Sequence, residues 1–171
     1  MKTIIITGKR NIDKIQKIDN PIRKDSMKLG LDDIYYTYNK HIEIINRMYL
    51  EETQEYEAIL KREISKKISG YRNQDIQKKL IDLIQFISLD QTIELLLVSK
   101  LKCFYCNDKC ELLYKSIFAK KQWTLDRIDN NRGHNHDNVV ICCLDCNVKR
   151  GNMDSDRFKR GKEIKIVRKQ F

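Results

Sequence analysis

Cys103-Phe-Tyr-Cys106 and Cys143-Leu-Asp-Cys146 are two CxxC pairs separated by a moderate stretch of chain. Two thiolates held in one tight turn can close on a single ion, and two such turns supply the four ligands of a tetrahedral zinc site. A disulfide framework would need an oxidising compartment, and no secretion signal is visible: the apolar run Ile4–Thr7 is too short and lacks a small-residue cleavage site. A thioredoxin-type redox pair would use one CxxC and leave the other unexplained. Cys110 and Cys142 are left over. Cys142 alternates with Val140 and reads as a small buried side chain on a strand. Cys110 could replace Cys106 as a ligand, although the two-residue spacing favours Cys103 with Cys106. Spare thiols suit reducing conditions, so an intracellular setting, cytoplasmic or nuclear, is expected.

Between and just after the cysteine pairs lies a second set of reactive types: Asp126, Arg127, Asp129, Arg132, His134, His136, Asn138, Asn147, Lys149 and Arg150. A carboxylate and an amide oxygen can hold a hard divalent cation. A histidine can accept a proton near neutral pH. Arginine and lysine can clamp phosphate oxygens. Simpler roles are open to several of them: Asp126 or Asp129 as turn caps, Asn138 as a loop-to-strand cap, Asn147 as a helix cap, and His136 as a solvated loop residue.

The elements that must position these groups follow from the pattern. Trp123–Asp126 reads as a short strand, with Trp123 packed inside. Residues 129–137 form a loop rich in Asn, Asp, Gly and His, Asn138–Cys142 reads as a second strand, and Cys143–Asn152 carries the second cysteine turn into a helix. That order is a ββα unit of about 30 residues. Upstream, Ile42, Ile45, Tyr49, Tyr56, Leu60, Ile64 and Ile68 recur at helical spacing and predict one long amphipathic helix over 41–69, ended by Gly70. A second helix is expected over 73–87, with Ile76, Leu80, Leu83, Ile84 and Ile87 inward, and a third over 91–99, capped by Asp90. The predicted class is α+β: a basic arm over 1–40 with a possible edge strand at 2–7, a helical region over 41–100, the cysteine-bearing module over 101–156, and a basic tail over 157–171 with a possible strand at 163–167.

The stretch from Trp123 to Arg150, with Asp126 ending the first strand, Asn138 opening the second and Cys143-Leu-Asp-Cys146-Asn147-Val-Lys149 at the helix, resembles the HNH endonucleases, or ββα-metal nucleases. The resemblance covers about residues 101–152, a third of the chain. It implies a nuclease that hydrolyses DNA phosphodiesters with Mg²⁺ or another divalent ion, and a structural Zn²⁺ on Cys103, Cys106, Cys143 and Cys146. Carried over by position, Asp126 and Asn147 become the ligands of the catalytic ion. Asn138 orients the base or holds the loop, and Lys149 and Arg150 contact phosphate. One position departs from the family: the residue after the first-strand carboxylate, where the family has its general-base histidine, is Arg127.

An arginine, with a pKa above about 12, cannot take a proton from water, but it can clamp a phosphate. Three readings follow. Another group serves as base, His134 first and Asp129 less readily; or the metal alone activates the water; or catalysis is lost and nucleic-acid binding remains. Arg127, Arg132, Lys149 and Arg150 are then the candidate phosphate contacts.

Bulk charge agrees in direction. The chain of 171 residues carries a net charge of +10. Residues 1–100 hold 18 basic against 15 acidic residues, and residues 101–171 hold 16 against 9, so the excess lies with the cysteines. A polyanion partner, double-stranded or branched DNA, is expected there. No apolar run reaches the roughly 18 to 20 residues of a membrane span. The 42–68 stripe can pack within the monomer or serve a homodimer. Tyr35–Tyr38 is expected in core or surface contacts rather than in base stacking.

Overall fold

The structure is a computed structural model that describes residues 7–9, 12, 31–52, 56–116 and 118–164. Residues 2–6 of the expected edge strand, most of the basic arm, and residues 165–171 of the tail, with most of the possible strand at 163–167, lie outside the described residues. After a 3₁₀ turn at Asp33–Tyr36 come α1 (Tyr38–Tyr49), α2 (Glu57–Gln77) and α3 (Leu89–Val98). An irregular stretch then leads to β1 (Trp123–Arg127), β2 (Val139–Cys143), α4 (Leu144–Arg150) and α5 (Ser155–Glu163). The strands are antiparallel, with Trp123 opposite Cys143 and Arg127 opposite Val139. The class is α+β, with a helical N-terminal region and one two-stranded sheet among the described residues.

The long helix expected over 41–69 is two helices. α1 buries His41, Ile44, Ile45 and Met48, a face one residue away from the Ile42/Ile45/Tyr49 stripe, because the His41 ring is drawn in against the backbone N–H groups of Leu112 and Leu113. The chain breaks at Glu51, which takes a positive φ. Acidic residues sit badly at a helix C-terminus and well at an N-terminus. A break before the glutamate cluster therefore ends α1 ahead of them and puts Glu57 in the first turn of α2.

Gly70 does not end α2. The stripe of Leu60, Ile64 and Ile68 runs on through Tyr71 to Asp75, and that continued burial keeps the helix going to Gln77. It ends in a Schellman motif: Lys79 is left-handed, its N–H bonds the Ile76 carbonyl, and the Leu80 N–H bonds the Asp75 carbonyl.

The helix expected over 73–87 therefore does not form as such. Residues 80–87 are a turn held by Asp82, whose carboxylate accepts from Ile84 and Gln85. Leu83 and Ile84, expected inward, are 74% and 89% exposed, and only Ile87 is buried. Instead of coiling, this segment pairs with the histidine loop: the Ile87 N–H bonds His134 O, and the His136 N–H bonds Gln85 O. α3 starts two residues earlier than expected. Ser88, not Asp90, is its cap, in a reciprocal box with Gln91.

α1 packs on α3. Ile45, Leu60, Ile64, Leu96, Leu101, Trp123, Leu125 and Ile141 belong to one continuous core, so the 42–68 stripe is used within the chain. The tyrosine cluster makes ordinary contacts: Tyr35 meets Tyr56 edge-on, and the Tyr38 hydroxyl donates to Lys100 O. Residues 157–163, placed in a tail by sequence, belong to a helix, α5, that begins at Ser155 and is capped by Asp154. No helix among the described residues is long and apolar enough to cross a membrane.

The buried stripe makes a stability prediction. Leu96 is fully buried where α1 and α3 meet, so Leu96→Ala is expected to cost about 2–5 kcal/mol in urea unfolding. Leu83→Ala, at an exposed position, is expected to stay within about 0.5 kcal/mol of the parent.

Candidate metal centre and adjoining cleft

Cys103 and Cys106 sit in a knuckle turn. The Cys103 N–H bonds Asp108 O, the Asn107 N–H returns to Cys103 O, and left-handed Asn107 makes the reversal. Cys143 ends β2 and caps α4, its Sγ accepting from the Cys146 N–H, which places both in the first turn of that helix. The four Sγ atoms lie within 4.8 Å of one another, and those of Cys106 and Cys143 are 3.9 Å apart. A tetrahedral ion with metal–sulfur bonds of about 2.3 Å would set sulfur–sulfur edges near about 3.8 Å. The quartet therefore suits a tetrahedral metal ion such as zinc.

Its electrostatics point the same way. Cys103 is pushed down to about 5 by the hydrogen bond from Cys143, which is itself pushed up by that bond. Cys146 is pushed up to about 12 by burial and the Cys103 charge. Four thiolates so close coexist only around a cation. Cys110 and Cys142 stand outside the quartet, and burial raises both thiols. Cys142 packs on β2 against the Thr124 hydroxyl, as its alternation with Val140 suggests.

Beside the quartet, between α2 and the open edge of β1, lies a cleft of about 520 Å³. Asp126 and Arg127 from β1, His134 from the connecting loop and Asn147 from α4 all line it, as do Lys67, Tyr71 and Gln74 from α2 and Lys78 at its C-cap. Four of the residues singled out by sequence thus come together. Asn138, Arg132, Lys149 and Arg150 do not line it.

Asn138 is a clasp for the loop. Its amide nitrogen donates to Asp129 O and Gly133 O, and its oxygen accepts from the Asp129 N–H. Arg132 makes a two-pronged pair with Asp137, and Lys149 pairs with Asp145, both on the surface. Arg150 departs from the expected phosphate surface. It is 3% exposed, and its guanidinium donates to Asp126 Oδ1 at 2.8 Å and to the carbonyls of Arg127 and Ile128. It is a strut between α4 and the end of β1. His136 is exposed, its ring 3.3 Å from Gln85 O. Asp129 Oδ1 accepts from the Asn131 N–H, the turn-cap arrangement.

Within the cleft, Asp126 Oδ2 accepts from the Tyr105 hydroxyl at 2.7 Å and Oδ1 from Arg150. Each carboxylate oxygen thus keeps a lone pair. Asn147 spends its amide nitrogen on Thr124 Oγ1 and Leu125 O, which leaves its amide oxygen as the donor atom for a cation. One carboxylate and one amide oxygen, completed by water and phosphate, fit the sparse protein ligation that Mg²⁺ accepts.

His134 is buried against α2. Its backbone N–H donates to Asp75 Oδ2 at 2.6 Å, its Nδ1 lies 2.8 Å from Asp75 Oδ1, and its ring stacks on Tyr71 with centroids 4.7 Å apart. Burial lowers its pKa, Asp75 opposes that, and the ring stays neutral at neutral pH. Arg127 donates to Arg132 O, and its NH1 lies 3.9 Å from Asp75 Oδ1. Lys67 is pushed down to about 7 by burial, tied to Trp123 O and Gln122 Oε1 with its ammonium over two aromatic rings, and so tethers α2 to β1.

Asp75, Tyr71 and Tyr105 are the site residues that sequence reasoning missed. One signal was present: a carboxylate at a position in register with the apolar stripe of α2.

Metal analysis of protein purified under reducing conditions is expected to give one tightly held ion per chain. Cys103→Ser or Cys143→Ser should lose it and lower the unfolding midpoint sharply, since structural ions of this type contribute on the order of 10 kcal/mol to folding. Cys110→Ser should keep full metal content. The chain matches no known protein-family profile, no curated protein and no solved structure.

Proposed function

We propose that this chain is a metal-dependent endonuclease that hydrolyses phosphodiester bonds in DNA at the cleft between α2 and β1, with zinc on the cysteine quartet as its structural ion. The observation that supports this best is the convergence of Asp126, Arg127, His134 and Asn147, from strand, loop and helix, on one cleft. Each brings a different function that phosphodiester hydrolysis requires.

Asp126 and Asn147 would hold a divalent ion, Mg²⁺ or a similar one, which supplies charge neutralisation at the scissile phosphate and the leaving oxygen. His134, neutral and lining the cleft, accepts the proton of the attacking water. Arg127 cannot serve as that base. Its guanidinium is a permanent cation in the cleft wall, suited to a phosphate oxygen. Asn138 contributes indirectly, by closing the loop that carries His134. The positive excess of residues 101–171 supports a polyanionic substrate.

A second reading, a non-catalytic zinc-stabilised module that binds nucleic acid, draws on one observation: both oxygens of Asp126 already accept a hydrogen bond, one of them from a buried arginine.

Incubation with supercoiled, linear and branched DNA in Mg²⁺ or Mn²⁺ distinguishes the two. The expected result is metal-dependent cleavage. Asp126→Ala should abolish it, and His134→Ala should reduce it by roughly 10²–10⁴-fold. Salt-dependent binding of DNA without cleavage in any of these forms would instead establish the binding module. Full activity in His134→Ala would remove the histidine from the role of base.

A further inference from the structure

A carboxylate with no exposed surface must be paired, and Asp75 is one: it is 0% exposed near the C-terminal end of α2. It occupies the position in the Schellman motif that usually makes an apolar contact. Both of its oxygens are directed instead into the histidine loop, one to the backbone N–H of His134 and one to that residue's Nδ1. The loop is shaped to allow this. A side chain at Gly133 would put its Cβ 2.5 Å from Leu80 O and 3.0 Å from Asp75 Oδ2, so only glycine lets the loop seat on the end of α2.

From this geometry we infer that Asp75 is the positioning residue of the cleft: it fixes the tautomer and the direction of the His134 ring, so that the Nε2 lone pair faces the cleft. This rests on the nuclease reading above for its chemical consequence, but not for its structural content. Asp75 accepts only, so Nδ1 must carry the proton. Nε2 has no hydrogen-bond partner among the described residues and belongs to a side chain that lines the cleft. In the proposed reaction, water's oxygen bonds to phosphorus while the bond from phosphorus to the departing sugar oxygen breaks. Nε2 takes a proton from that water, and the departing oxygen takes one from solvent. The imidazolium so formed lies against the Asp75 carboxylate, which stabilises it. The helical region thereby becomes part of the site, since this carboxylate comes from α2 and not from the ββα unit.

The variant Asp75→Asn tests this with a sharp expectation. The backbone N–H of His134 can only donate, so the new amide oxygen stays with it and the new amide NH₂ faces Nδ1. The ring must then accept at Nδ1 and carry its proton on Nε2, which removes the lone pair from the cleft. The tautomer is read by ¹⁵N-imidazole NMR of the full chain with its structural ion bound. The chain has 3 histidines, so His134→Gln identifies the signal.

The expected result is the Nδ1–H form in the parent and the Nε2–H form in Asp75→Asn, with kcat on DNA reduced on the order of 10²–10⁴-fold and KM little changed. An Nε2–H ring in the parent would overturn the proposal without any variant being needed. So would an Nδ1–H ring that persists in Asp75→Asn, or a variant kcat within about threefold of the parent. If the parent cleaves no DNA, the nuclease reading falls, and the two tautomers still decide whether Asp75 sets the ring.

Discussion

Two strands of five residues, paired among the described residues only with each other, do not make a stable sheet in water. Each has an open edge of backbone groups that must find partners. On the β2 side the cysteine knuckle supplies one, as the Phe104 N–H bonds Ile141 O. On the β1 side no third strand lies among the described residues; apart from one backbone bond, from the Trp123 N–H to Glu111 O, side chains do the work: the Tyr71 hydroxyl accepts from the Leu125 N–H, Asn147 donates to Leu125 O, and Lys67 donates to Trp123 O. The cleft follows from this arrangement. A third strand would have closed the edge of β1, whereas α2 and α4 reach it only with their side chains and leave a gap between themselves.

The metal quartet and the Arg150 strut complete the support from the other directions. The quartet joins the 103–106 knuckle to the junction of β2 and α4, so one ion would fix strand, turn and helix together. Arg150 crosses from the last turn of α4 to the carbonyls of Arg127 and Ile128, and its bond to Asp126 offsets the cost of burying that carboxylate. Removing either charge alone would strand the other in a dry place, so the two are better regarded as one unit.

Legibility from sequence followed the range of the interactions. The ββα order was readable because its signals are local: a short apolar run at 139–143, a loop rich in turn formers and a CxxC entering a helix. The convergence of Asp126, Arg127, His134 and Asn147 on one cleft was readable from that order too, since folding β1 back on β2 brings their elements together. The helix boundaries were not. Glu51 and Lys79 adopt left-handed turns that favour glycine, while Gly70, the residue that looked like a terminator, sits inside α2 with open space around it. Residues 80–87 carry a helical apolar pattern and still form a turn, because pairing with residues 134–136 satisfies their backbone while leaving Leu83 and Ile84 in water.

The same long-range pairing explains why Asp75 escaped notice. In α2 its spacing from Ile64, Ile68 and Tyr71 marks it as inward, yet the basic residues near it in sequence, Arg72, Lys78 and Lys79, are not its partners. Its partners lie about 50 to 60 residues away: Arg127 at the end of β1, and His134 in a loop that arrives only because Gly133 lets it come close. Arg150 was misjudged for the complementary reason. A basic pair at the end of a short helix looks like a surface, and only the folded strand shows that Lys149 takes the solvent side and Arg150 the buried one. In both cases a charge is buried because its partner comes from another element. The two carboxylates so held, Asp75 behind His134 and Asp126 at the end of β1, fix the cleft from opposite ends: one orients a ring, and the other keeps a strand end in reach of α4.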